Sequence, residues 1–250
     1  TVPAALAALR ADNQLNIVLV GLEDAIQAEL KAHKANTSPN LRIHHTTEVV
    51  LMDESPQSAL KNKKDSSMRV AINVSVHQLR QPDLVERVGE ILSRHGVPPD
   101  LITFELTESA AMEDPSATLR IFERLAVTGV ALSIDDFGTG YSSLAYLKRL
   151  PVDELKIDRS FVMNMETDLQ DAKIVHSTVE LAHNLGLSVV AEGVEAAKHW
   201  KLLAKLGCDE AQGYFIAKPM PAPDFMPWLS HWHAPDTDQE EQGTAFAALT

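Results

Sequence analysis

Short apolar, β-branched runs alternate with amphipathic stretches almost from end to end of the chain. The runs are Leu15–Val20, Leu41–His45, Arg69–Ser75, Leu101–Thr107, Val130–Asp135, Glu154–Asp158, Leu187–Glu192 and Glu210–Phe215. Between them, Leu84, Val85, Val88, Ile91 and Leu92, and later Leu119, Phe122, Leu125 and Ala126, recur at the spacing of one helical face. The segment Val97–Asp100, with Pro98 and Pro99, and Glu113–Pro115 punctuate these units as turn signals. Strand candidates separated by helices predict an α/β fold with a parallel sheet. Two closures fit the pattern: a (β/α)8 TIM-type barrel and an open doubly wound sheet.

Size and charge narrow the picture. At 250 residues, 45% of them hydrophobic, the chain can bury a sizeable core as one barrel or as two small domains. A net charge of −13 argues against duplex nucleic acid as a partner, because phosphate binding needs clustered Lys and Arg. An anionic substrate remains compatible where metal cations neutralise it locally. The single Cys208 excludes an internal disulfide framework and suits a reducing, cytoplasmic setting. No apolar run reaches the ~20 residues of a membrane span, so no membrane contact is expected of this segment. The polar stretch Ala234–Thr250 is expected to be a disordered tail, His33–Asn40 a loop, and Lys61, Lys63 and Lys64 a solvated helix end.

Chemistry is suggested where polar residues interrupt apolar strands. Asn73, Glu105, Asp135-Asp136, Lys156 with Asp158, Glu192 and Gln212 each fall toward the C-terminal end of a predicted strand. Parallel barrels assemble their active sites on that face. One buried carboxylate is usually a satisfied structural group, but core packing does not explain a polar group on six consecutive strands. Asn73, Glu105, Asp135 and Asp136 form an oxygen-rich set suited to Mg2+ or Mn2+. A bridging Asp135 would hold two ions ~3.5–4 Å apart, the spacing of two-metal phosphodiester hydrolysis. Lys156 would orient an attacking water and offset transition-state charge; its plainer reading is a salt bridge to Glu154 or Asp158. Glu192 either holds a metal-bound water or caps the following segment.

Taken together, Asn73-Val-Ser, Phe104-Glu105-Leu-Thr-Glu108-Ser, Asp135-Asp136-Phe-Gly-Thr-Gly-Tyr-Ser-Ser, Leu155-Lys156-Ile-Asp158-Arg159-Ser-Phe161, Ala191-Glu192-Gly-Val-Glu195 and Gln212-Gly-Tyr resemble the EAL family of cyclic di-GMP phosphodiesterases. The blocks appear in the family's order and spacing from about residue 71 to 229. The resemblance implies a (β/α)8 barrel and metal-dependent hydrolysis of cyclic di-GMP to a linear dinucleotide. It makes Asn73, Glu105, Asp135 and Asp136 ligands of two Mg2+ or Mn2+. Lys156, Glu192 and Glu108 become catalytic-centre residues, Glu108 by steadying the loop Asp136–Ser143. Asp158, Gln212, Gly213 and Tyr214 fall in the substrate-binding part. That loop also resembles the segment coupling dimerisation to metal binding, which implies a homodimer.

The family's first strands, with a glutamine and then Glu-Ala-Leu-Leu-Arg, have no counterpart in residues 1–70. Ala28-Glu29-Leu30 lies within the amphipathic helix candidate Glu23–Lys34 and shares letters only. Residues 1–71 instead resemble the start of a PlsX-type phosphate acyltransferase: Val2-Pro-Ala-Ala-Leu, Ile17-Val-Leu-Val-Gly21, His44–Val50, and Met52-Asp-Glu-Ser-Pro56 through Ala71. A fusion is expected, with residues 1–71 as the borrowed part, 72–233 as the EAL-like barrel and 234–250 as tail. Six EAL-type strands leave a parallel sheet open, and the borrowed βα units Leu15–Lys34 and Leu41–Lys64 would restore eight. His44, His45 and Glu48 are the candidates to replace the missing glutamate. Three functions stay open: an impaired phosphodiesterase, a non-catalytic cyclic di-GMP sensor, and a fusion without activity.

Overall fold

The computed structural model describes residues 17–19, 49–52, 69–140, 144–220, 224, 227, 228, 231 and 232. Two short strands come first, β1 (Ile17–Leu19) and β2 (Val49–Met52). From β3 (Val70–Asn73) onward strands and helices alternate: α1 (Val76–Leu79), α2 (Leu84–His95), β4 (Ile102–Thr107), α3 (Glu108–Glu113) and α4 (Pro115–Val127). They continue through β5 (Ala131–Phe137), α5 (Leu144–Leu147), β6 (Glu154–Ile157), α6 (Arg159–Asn164), α7 (Leu169–Leu185), β7 (Ser188–Ala191), α8 (Ala197–Leu206) and β8 (Glu210–Gln212).

Strands β3 to β8 form a curled parallel sheet in chain order, each paired with the next. Local signals set the helix ends. The Asp114 side chain accepts a hydrogen bond from the Ala117 amide (2.9 Å) with Pro115 in the first turn, and Asp168 does the same for Gln170 (2.7 Å). Gly96, Gly186 and Gly207 end α2, α7 and α8 in the left-handed conformation that glycine adopts without a Cβ clash. Helices cover the outer face of the sheet. Leu132, Ile134, Leu155, Ile157, Val189 and Ala191 are buried there with Phe122, Leu125, Val175, Val179 and Leu203 in one hydrophobic cluster. All four residues of β6 are buried, because Leu155 and Ile157 meet this cluster while Lys156 meets a polar interior.

The open edge at β8 differs from the expected all-parallel closure. β2 pairs antiparallel with β8, placing Val50 opposite Gln212 and Met52 opposite Glu210, and β1 pairs antiparallel with β2. β1 also approaches β3. The strand expected at Leu41–His45 lies outside the described residues. The second strand actually formed begins eight residues later than that run, at Val49. An exposed edge presents N–H and C=O groups that a strand of either direction can satisfy, so edge pairing does not require a βα unit. The last strand ends at Gln212, not at Phe215 as the apolar run suggested, because Gly213 turns the chain. The helix candidate Glu23–Lys34, the loop His33–Asn40, Lys61–Lys64, His44, His45, Glu48 and the tail 234–250 all lie outside the described residues.

Candidate active site

At the C-terminal ends of the parallel strands the polar interruptions converge. Asn73 on β3 stands level with Glu105 on β4, and Thr107 on β4 stands level with Asp135 on β5. Lys156 on β6 projects among the carboxylates of three other segments. Its Nζ lies 3.0 Å from Glu105 Oε1, 3.3 Å from Asp135 Oδ1 and 2.5 Å from Glu192 Oε1. These partners, rather than Glu154 or Asp158, answer the plain salt-bridge reading of the sequence. Lys156 and Glu105 are each only 2% exposed. Burial alone would lower the lysine's pKa, but Glu105, Glu192 and Asp135 together hold it well above the ordinary lysine value. Burial pushes Glu105 up to about 8 against the pull of Lys156, with Asp135 and Glu154 adding to the rise.

The chain bends sharply at Asp135-Asp136. The β5–β6 register shifts between Ile134 and Phe137, and Asp136 takes a φ of 55°, the one described non-glycine residue with positive φ. Asp tolerates this conformation better than most residues, and a bulge of this kind re-aims side chains at a strand's end. Oxygens of Asp135, Asp136 and Glu192 thereby come within 4.8 Å of one another. Burial, with Asp135 and Asp158 nearby, raises Asp136 to about 6. An oxygen-only, acid-rich set of this kind fits a hard divalent cation such as Mg2+ or Mn2+.

The remaining expected residues fall around this centre. Glu108 opens α3 and reaches back to accept hydrogen bonds from the Gly138 and Gly140 amides at 2.9 and 3.2 Å. It is buried outside the lysine cluster and holds the loop that follows Asp136. Gly140 is required for this approach, since a Cβ there would stand 2.9 Å from the Glu108 carboxylate. Tyr141–Ser143 lie outside the described residues. Just beyond them, on α5, Tyr146 donates to the Ala111 and Pro115 carbonyls at 3.2 and 3.1 Å, a tether that the sequence reading missed. Asp158 caps α6 by accepting from the Ser160 amide (2.9 Å) and hydroxyl.

Gln212 is buried, and its carbonyl accepts from the Val194 amide at 3.0 Å, while the Phe215 amide donates to the Val194 carbonyl at 2.9 Å. The loops after Glu192 and Gln212 are thus interlocked. A Cβ on Gly213 would meet Val194 backbone atoms at 2.3–2.4 Å, and one on Gly193 would meet the Arg159 Cβ at 2.5 Å. Gly193 went unremarked in the sequence, although its place beside Glu192 marks a position where backbone must approach closely. Tyr214 is mostly exposed, with Lys218 Nζ 5.9 Å from its ring centroid.

Residues 43–219 match the family model described as EAL domain. The chain belongs to the EAL-domain family. A second model, described as Fatty acid synthesis protein, matches residues 1–81, so the two matches overlap over residues 43–81. The EAL domain is 49% identical over 153 residues to the bifunctional diguanylate cyclase/cyclic di-GMP phosphodiesterase MucR of Pseudomonas aeruginosa, covering 61% of this chain and 22% of that protein. It is 39% identical over 163 residues to the cyclic di-GMP phosphodiesterase RocR of the same organism, covering 65% of this chain and 42% of RocR. The chain therefore spans less than half the length of these curated relatives. Among solved structures, the MucR phosphodiesterase in complex with c-di-GMP superposes with a TM-score of 0.62 at 47% identity, covering 64% of each chain. The manganese/cy-diGMP complex of Klebsiella pneumoniae BlrP1 gives 0.58 at 32% identity, covering 66% of this chain and 41% of that one. Among the described residues of the EAL domain no helix is long and apolar enough to cross a membrane.

Proposed function

We propose that this chain is a metal-dependent phosphodiesterase domain that opens cyclic di-GMP to a linear dinucleotide, at a rate reduced by the loss of the family's Glu-Ala-Leu glutamate. The observation that carries it is the convergence of Asp135, Asp136 and Glu192 oxygens beside a lysine buried among carboxylates. In this reading Asn73, Glu105, Asp135 and Asp136 hold two Mg2+ or Mn2+. When bound, the ions supply an activated water and charge stabilisation for the phosphodiester oxygens. The side chains do the rest. Lys156 stays protonated and donates hydrogen bonds, orienting the water and offsetting charge on phosphate oxygens. Glu192 accepts from the same water. Asp158, Gln212, Gly213 and Tyr214 line the substrate side, and Glu108 keeps the Asp136–Ser143 loop in place, the segment through which a homodimer would form.

Residues 1–71 act as a borrowed piece on the open edge of the EAL barrel, residues 72–233, with β1 and β2 taking up the vacant strand places; 234–250 form the tail. Hydrogen exchange tests this: rapid exchange throughout residues 15–52 defeats the hybrid barrel.

A second reading, a non-catalytic cyclic di-GMP sensor, is favoured by the absence of a Glu-Ala-Leu strand ahead of Asn73. Losing one carboxylate ligand weakens transition-state stabilisation more directly than ground-state binding. A turnover assay with cyclic di-GMP and Mn2+, run beside a binding titration, separates the readings. Turnover that Asp135→Asn abolishes supports the phosphodiesterase, and binding without turnover supports the sensor. Neither result leaves an inactive fusion. Turnover that survives Asp135→Asn overturns the metal assignment.

A further inference from the structure

Beneath the site the barrel interior carries a second polar level. Side chains alternate along a strand, so Glu154 and Glu210, two residues before Lys156 and Gln212, face the same interior. They are buried to 8% and 4% exposure. Glu154 stands level with Ser133 on β5, and Glu210 with Val190 on β7. The cation acting on both is Arg69, the bridge residue directly ahead of β3. By the same alternation Arg69, four residues before Asn73 on the β3 side, faces this interior, and its charge opposes the rise of both carboxyls.

Among the described residues this level has two carboxyl groups and one guanidinium, with the Glu105 carboxyl also acting on Glu210. Glu210 is the worse provided for: its Oε2 is buried and accepts no hydrogen bond among the described residues. A buried carboxylate oxygen without a donor is heavily penalised, whereas a neutral carboxylic acid is not. We propose that Glu210 is a carboxylic acid in the folded protein, and that the Glu154–Glu210 pair, sharing one proton within the field of Arg69, forms the floor of the sheet's interior at β6 and β8.

The electrostatic surroundings agree. Burial drives Glu210 well above the ordinary carboxylate range; Glu154 adds to the rise, Arg69 opposes it, and Asp209 and Glu105 contribute further. Glu154 is also raised by burial, against Lys156 and Arg69, with Asp135 acting upward. Because the folded value lies above the ordinary 4.5, the folded chain keeps a proton that the unfolded chain releases. The group's stabilising contribution is complete below that ordinary value and is lost as pH climbs toward the folded one. Alkaline pH therefore loosens the floor, and with it the strand that carries Gln212.

The inference does not rest on the phosphodiesterase reading, and its test reads stability. Thermal unfolding of the full chain and of Glu210→Gln is followed from about pH 5 to about pH 9. The two Tm values should lie within about 3 °C at the acid end, with the glutamine variant melting progressively higher as pH rises. A difference infrared spectrum of the two folded proteins at neutral pH should contain the C=O stretch of a protonated carboxyl. Arg69→Met should steepen the alkaline loss, and adding Glu210→Gln should flatten it again. A Tm offset constant with pH, a Glu210→Gln chain that fails to fold, or an Arg69→Met chain with an unchanged slope each overturns the proposal.

Discussion

Replacing Lys156 by methionine keeps the volume of the side chain and removes the charge that Glu105, Asp135 and Glu192 share. The ammonium lies between 2.5 and 3.3 Å from an oxygen of each. Breaking a single buried ion pair by deleting one partner costs about 3–5 kcal/mol, because the other charge is left buried and unbalanced. Here Asp135 and Glu192 lose their common counter-ion and Glu105, raised to about 8, loses the group that pulls it down, so the upper part of that range applies in the absence of metal. For a chain of this size each kcal/mol moves Tm by roughly 2–4 °C, which gives a loss on the order of 10–20 °C. Two further signatures follow. Without the ammonium the carboxyls take up protons more readily in the folded state, so the deficit should shrink on acidification and grow as pH rises through about 8, where Glu105 already sits with the lysine present. Millimolar Mn2+ should recover part of the Tm, because a divalent cation replaces the missing charge within the same oxygen set. Differential scanning calorimetry of both proteins, in chelator and in Mn2+ across pH, is the measurement. A Lys156→Met chain that melts with the unsubstituted protein in chelator refutes the reasoning, since the lysine would then be dispensable to the buried charge balance.

Other perturbations probe neighbouring parts. Gly213→Ala would force a Cβ to within 2.4 Å of the Val194 backbone, so it should destabilise by about 3 kcal/mol or more and cut substrate affinity; an unchanged urea midpoint would contradict the interlock. Glu108→Ala removes the acceptor of two loop amides and should cost about 1–3 kcal/mol, with faster protease cleavage near Gly140 as the readout. Cys208 donates to the Val189 and Glu210 carbonyls and is pushed up to about 12, chiefly by burial. At pH 8 this half-buried thiol should react slowly with a thiol reagent until denaturant is added; labelling of the folded chain as fast as of the unfolded one would count against the raised pKa.

The sequence made the parallel unit readable because its strand ends combine apolar runs with chemically costly residues. Glu105, Asp135 and Lys156 stand where an ordinary core would place leucine, and that anomaly leads straight to one face of the sheet. Periodicity also carried two of the helices, through Leu84–Leu92 and Leu119–Ala126, which form α2 and α4. The partners of Lys156 were not legible, because a lysine flanked by Glu154 and Asp158 suggests sequence neighbours, while alternation on a strand sends it across the barrel instead. Glu210 was overlooked for a similar reason: its burial is set by β7, β6 and the edge strand, none of which a local window contains. Least legible was the edge itself. Val49–Met52 reads as an undistinguished apolar stretch after a stronger run at Leu41–His45, and only the unsatisfied backbone of β8 explains why a strand forms there.

The direction of β2 carries a consequence for the edge that it covers. In a parallel neighbour, the residues closing the strand would lie beside Gln212, and the stretch following it would border the mouth of the candidate site. In the antiparallel arrangement Val50, at the strand's start, is level with Gln212, while Met52, at its end, is level with Glu210 on the floor. Polarity thus sets which end of β2 borders Gln212: the end at which the strand begins, and not the end at Met52.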